Sequence, residues 1–99
     1  MAGHKHRPKR VEYKSIAQIA DSIMHGDREE HYGRPSDNYG HLAELWNAYI
    51  HRKTGKRIEL SAKDCLMMML LLKINREAKI PKRDNLIDII GYAICIDEL

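Results

Sequence analysis

Asp84 and Asp88 stand four residues apart in DNLIDIIGY, residues 84–92, and Gly91 and Cys95 continue the same register. On a helix this spacing lines all four along one stripe. Leu86, Ile87, Ile89, Ile90, Ala93, Ile94 and Ile96 take the remaining directions, so Asp88 has few routes to water. Upstream, Lys73 closes the apolar run Cys65 to Leu72, and Arg76 follows three residues later on the same face. A charge so placed is costly unless something pairs with it. If the two segments are antiparallel helices, as their short connection implies, Lys73 or Arg76 can reach Asp88. Two chemistries fit. One is a buried salt bridge that fixes register. The other is a site in which carboxylates hold a metal and cations hold phosphate, with Gly91 letting a ligand or a neighbouring backbone come close.

Asp27-Arg28-Glu29-Glu30-His31-Tyr32-Gly33 gathers a guanidinium, carboxylates, an imidazole and a phenol in one short stretch. Arg28 suits bidentate recognition of phosphate or carboxylate, and Tyr32 and Tyr39 could stack on a base. The same residue types also serve turns: Asp27 and Asp37 can satisfy loop and helix-start amides while the tyrosines cover a core. The six histidines lack the i, i+4 pairing of a helical zinc site. Cys65 and Cys95 sit in apolar helical patterns and read as small buried hydrophobes. No phosphate-binding loop, nucleophile elbow or Cys/His pair is present.

The elements that must position these residues are all helical. Ser15 and Gln18 form a capping box that opens a first helix, with Gly26 as its stop. Residues 27–40 read as an ordered loop rich in Gly, Pro, Asp and Asn. A second helix is predicted from Ser36 or Asp37 to about Arg52, with Leu42, Leu45, Trp46, Tyr49 and Ile50 on its apolar face. Ser61 and Asp64 open a third, running to Arg76 or Ala78. It is apolar on every side, so it should be central, covered by neighbours or by another subunit. Pro81 breaks the chain, and the last helix runs from Asp84 towards Asp97. The expected fold is all-α, a compact bundle of about four helices with a basic N-terminal arm. Its two most apolar helices point to a homo-oligomer.

The chain of 99 residues carries a net charge of +3. Five basic residues against one acid put +4 on residues 1–14, leaving −1 for the rest. Residues 1–14 therefore read as a flexible basic arm, and 15–99 as a single helical domain. Lys5, Arg7, Lys9 and Arg10 of the arm, with Arg52, Lys53, Lys56 and Arg57 at a helix end, offer a nucleic-acid surface; the second cluster can equally complement its helix dipole. No apolar run is long enough to span a membrane, and there is no signal-peptide pattern, so a bacterial cytoplasm is expected.

Three blocks, HGDREEHYGRPSDNYGHLAELWNAYI, SAKDCLMMMLLLKINR and RDNLIDIIGYA, together resemble a small uncharacterised domain of phage and prophage genomes. The resemblance implies a phage-type origin without an established activity. RDNLIDIIGYA is also similar to the second metal-binding helix of MazG-type nucleoside triphosphate pyrophosphohydrolases. That similarity implies magnesium held by Glu44, Asp84 and Asp88, although the acids are one residue further apart than in that family and no E-E-x-x-E occurs. The leading expectation is a protein binding a phosphorylated small molecule, a nucleotide foremost. Arg28, Lys73 and Arg76 would hold phosphate, Tyr32 or Tyr92 would stack on the base, and Asp84 with Asp88 would orient the cations or a magnesium ion. The alternatives are MazG-like pyrophosphate release and a nucleic-acid-binding or assembly role for the arm.

Overall fold

A computed structural model describes residues 15–99; the basic arm, and with it Lys5, Arg7, Lys9 and Arg10, lies outside the described residues. The elements are α1 (Ile16–His25), α2 (Asp27–Tyr32), α3 (Pro35–Thr54), α4 (Ala62–Lys79) and α5 (Arg83–Asp97). No strand occurs among the described residues. Among the described residues, four long helices and one short one make an all-α fold, as the periodicities predict.

Both predicted capping boxes form. The Ser15 hydroxyl accepts from the Gln18 amide while the Gln18 side chain accepts from the Ser15 amide; Ser61 and Asp64 do the same at α4. These starts were legible because every partner lies within one turn. Around residue 34 the outcome differs. The stretch read as a loop contains α2, and α3 begins at Pro35 with Arg34 as its cap and no side-chain capping bond. Proline at the first helical position loses no hydrogen bond and has its φ already set, so it starts the helix without help from Ser36 or Asp37.

Gly26 joins α1 to α2 in a tight corner, where a β-carbon would lie 2.7 Å from the Ser22 carbonyl oxygen. That crowding, not turn type, demands glycine here.

α4 packs against α3 on one side and α5 on the other; α5 in turn carries α1, and α2 bridges α1 to α3. Met24, Tyr39, Ala43, Cys65, Leu66, Tyr92 and Cys95 form the buried cluster, with Leu42 and Trp46 packed against it. Two expected core residues are not there. Leu45 is 68% exposed and Tyr49 66%, because α3 packs chiefly on one neighbour and buries a narrower stripe than its sequence offers. α4 is central, yet one side of its apolar surface remains open: Met67, Met68, Leu71 and Ile74 are exposed.

Candidate functional site

The antiparallel α4–α5 arrangement brings Lys73 Nζ within 2.8 Å of Asp88 Oδ2. Lys73 is 16% exposed at its side chain and Asp88 36%, so the pair sits at the margin of the core, neither dry nor fully solvated. Arg76, the other candidate partner, does not join it. One turn further along α4, Glu77 Oε1 accepts from the Lys82 amide at 3.0 Å and from Asn85 Nδ2 at 3.2 Å. Asn85 is itself buried, and its amide also donates to the Ile80 carbonyl at 3.3 Å. The turn through Pro81 is thus tied to both helices, which fixes where α5 starts.

That turn is lined by a concavity. Asn75, Arg76, Lys79, Ile80, Lys82 and Asn85 surround it. Arg76, Lys79 and Lys82 are exposed, and none of the three makes an ion pair among the described residues. Arg76 was legible in the sequence; Lys79 and Lys82 were not, because they meet only when the Pro81 turn folds them to one side.

Farther along α5, Tyr92 is buried and its ring meets that of Tyr39 edge-on, with centroids 6.5 Å apart. This corrects the stacking role expected of Tyr92: its faces belong to the core. Tyr39 has the same fate, and burial pushes its phenol up to about 12, against the opposing pull of Arg28. Tyr32 is 60% exposed, with the Arg28 guanidinium 5.7 Å from its ring centroid. Arg28, Tyr32, Asn38 and Tyr39 line a narrow cleft floored by Met24 and Cys95. Its space is too small for a nucleotide, and Arg28 is engaged with both tyrosines. Gly91 does admit a close neighbour, as its position predicted, but the neighbour is a side chain: a β-carbon there would stand 2.9 Å from Met24 Cε. Met24 Sδ in turn lies 3.3 Å from Cys95 Sγ.

The magnesium arrangement implied by the MazG-type similarity is not assembled. No group of three or more His, Cys, Asp or Glu side chains converges among the described residues. Glu44 is exposed, 3.9 Å from His41, and lines a groove with Asn47, His51, Arg57 and Glu59, whereas Asp88 is taken by Lys73. Asp84 is exposed in the first turn of α5. Buried Cys65 and Cys95 have thiols pushed up by desolvation, the opposite of an activated nucleophile. Arg52, Lys53, Lys56 and Arg57 are exposed around the end of α3.

One contact gave no sequence signal. His25, at the end of α1, reaches Glu98 Oε2 through Nε2 at 2.5 Å, and its Nδ1 lies 2.9 Å from Asp21 Oδ1. The hydrogen bond to Glu98, chiefly, holds the imidazole above its ordinary value.

Residues 15–99 match a family described as a domain of unknown function, DUF6378. The chain belongs to that family. The Gene 55 protein of Mycobacterium phage D29 is 32% identical to this DUF6378 chain over 87 residues, 87% of this chain and 54% of the relative. The Gene 55 protein of Mycobacterium phage L5 is 36% identical over 86 residues, 86% and 52% of the two chains. The chain therefore spans about half the length of the curated relatives it matches. No solved structure matches. The phage-type resemblance carried by the three sequence blocks is borne out. No described helix is long and apolar enough to cross a membrane.

Proposed function

We propose that this DUF6378 protein binds a phosphorylated small molecule, a nucleotide foremost, at the basic corner between α4 and α5, in the cytoplasm of a phage-infected bacterium. The observation that carries the reading is the concavity lined by Arg76, Lys79 and Lys82, none of which forms an ion pair among the described residues. A guanidinium can take two phosphate oxygens at once, and two ammonium groups add point charges. Exposed Ile80 offers an apolar surface for a base. In this reading Lys73 and Asp88 do not touch phosphate; their pairing holds α5 in the register that forms the corner. Arg28 and Tyr32 stand apart as a surface pair.

Titration calorimetry with ATP, ADP and inorganic phosphate tests the reading. Binding is expected to weaken at least about tenfold in Arg76→Ala and in Lys79→Ala/Lys82→Ala, each lost charge-assisted contact being worth on the order of 1.5–3 kcal/mol. Absence of any heat with all three ligands, or unaltered affinity in both variants, refutes it. A second reading is favoured by the exposed Arg52, Lys53, Lys56 and Arg57, which also make no ion pair among the described residues. Nucleic-acid binding through them and the arm predicts affinity that falls steeply with salt and that is lost on deleting residues 1–12.

A further inference from the structure

α4 has a second seam, facing away from its neighbours. Met67, Leu71, Ile74 and Ala78 recur at i, i+4, i+7 and i+11, the spacing of a two-helix contact line. Lys73 and Leu66, which face the bundle, are each set well round the helix from Leu71: two residues turn a side chain by roughly 200°, five by about 140°. Met67, Met68, Leu71, Leu72 and Ile74 are between 36 and 57% exposed. A helix this apolar on its outer side has no local reason to be so, since a surface helix ordinarily turns polar residues to water.

We infer that two copies of this chain associate through the outer seam of α4, antiparallel across a two-fold axis. Met67, Leu71 and Ile74, with Met68 at their flank, leave on the order of 350 Å² of apolar surface uncovered on each copy, within the range of patches that are often functional. Doubled, that gives about 700 Å² of apolar contact, which a polar rim brings towards the roughly 1,000 Å² of a specific but not permanent dimer. The seam contains no charged residue between Asp64 and Lys73, so nothing in it selects a charged partner, whereas an identical seam is complementary to it by shape and polarity. Direction follows from the helix dipoles, which antiparallel pairing opposes and parallel pairing aligns. This inference does not rest on ligand binding at the α4–α5 corner.

Sedimentation velocity on the full chain, from about 5 to 200 μM, tests it, because micromolar dissociation matches an interface of this size. The expected result is a rise from monomer to twice the monomer mass across that range. Leu71→Glu should raise the dissociation constant at least about 100-fold, since two copies each lose an apolar contact and bury a charge. Leu45→Glu, at a still more exposed leucine on α3, should leave it unchanged. Circular dichroism checks that both variants stay helical. A chain that remains monomeric at the highest concentration overturns the inference, as does a dimer that survives Leu71→Glu or dissolves with Leu45→Glu alone.

Discussion

α5 is held by a polar contact on each side, and the two contacts differ in kind. Lys73 of α4 meets Asp88 near the middle of the helix, half out of water. His25 of α1 meets Glu98 just past the helix end, where the partners are 39 and 38% exposed, and the pair is charged only when the imidazole is protonated. The first is a pin at the core margin, where partial desolvation strengthens the attraction but penalises each charge, so that breaking it from one side is costly. The second is a latch on the surface, screened by water and dependent on pH. Between them lies the Met24–Gly91–Cys95 contact, purely apolar, joining α1 to α5 without any charge. The lesson is that position relative to the core, more than the short distance, decides what an ion pair contributes.

The comparison can be broken most severely from the core itself. Leu66 is fully buried in the apolar cluster, and Leu66→Ala should lower the unfolding free energy by about 2–5 kcal/mol in urea titrations. Asp88→Ala should cost less, about 1–3 kcal/mol, because the stranded Lys73 ammonium can still reach some water. The paired replacement Lys73→Met/Asp88→Leu should recover most of that loss. A single-variant loss equal to that of Leu66→Ala would mean the pair, not the apolar cluster, anchors α5. Gly91→Ala should cost about 1 kcal/mol: the new methyl gains helix propensity but presses on Met24. That penalty should shrink in a Met24→Ala background, read as a non-additive double-variant cycle.

The smallest effect belongs to the latch, and its sign is fixed by linkage. The folded His25 value is raised, so its stabilisation is complete below the unfolded value near 6.5 and is lost as pH rises through the higher folded value. Urea midpoints at about pH 6 and pH 8.5 should therefore differ in the wild-type chain, and His25→Gln should reduce the difference. An unchanged pH dependence would place the latch among contacts of no energetic consequence.

Much of the architecture was readable because its causes are local. Ser15 with Gln18, and Ser61 with Asp64, close hydrogen-bonded rings within four residues, so no distant partner can alter them. Lys73 and Asp88 were readable at one remove, since a short turn between two apolar helices leaves the charges little choice but each other. α2 was missed because its Gly and Pro neighbours signal a loop, while the α1 and α3 surfaces beside it supply the packing that makes six residues helical. Leu45 and Tyr49 carry the period of a buried face, but burial needs a neighbour on that side, and α3 has none there.

The same division separates the two halves of the candidate site. Spacing along the chain alone placed Asp84 and Asp88 on one face, and Lys73 and Arg76 on another that could reach it. Whether Tyr92 faced a ligand or the core, whether Glu44 approached the aspartates, and whether Lys79 and Lys82 joined Arg76 were settled only by how the helices pack. Periodicity constrains one helix at a time, whereas a site is made where separate helices meet, and that meeting is chosen by the burial of Leu66, Cys65 and Cys95 rather than by the charged residues themselves.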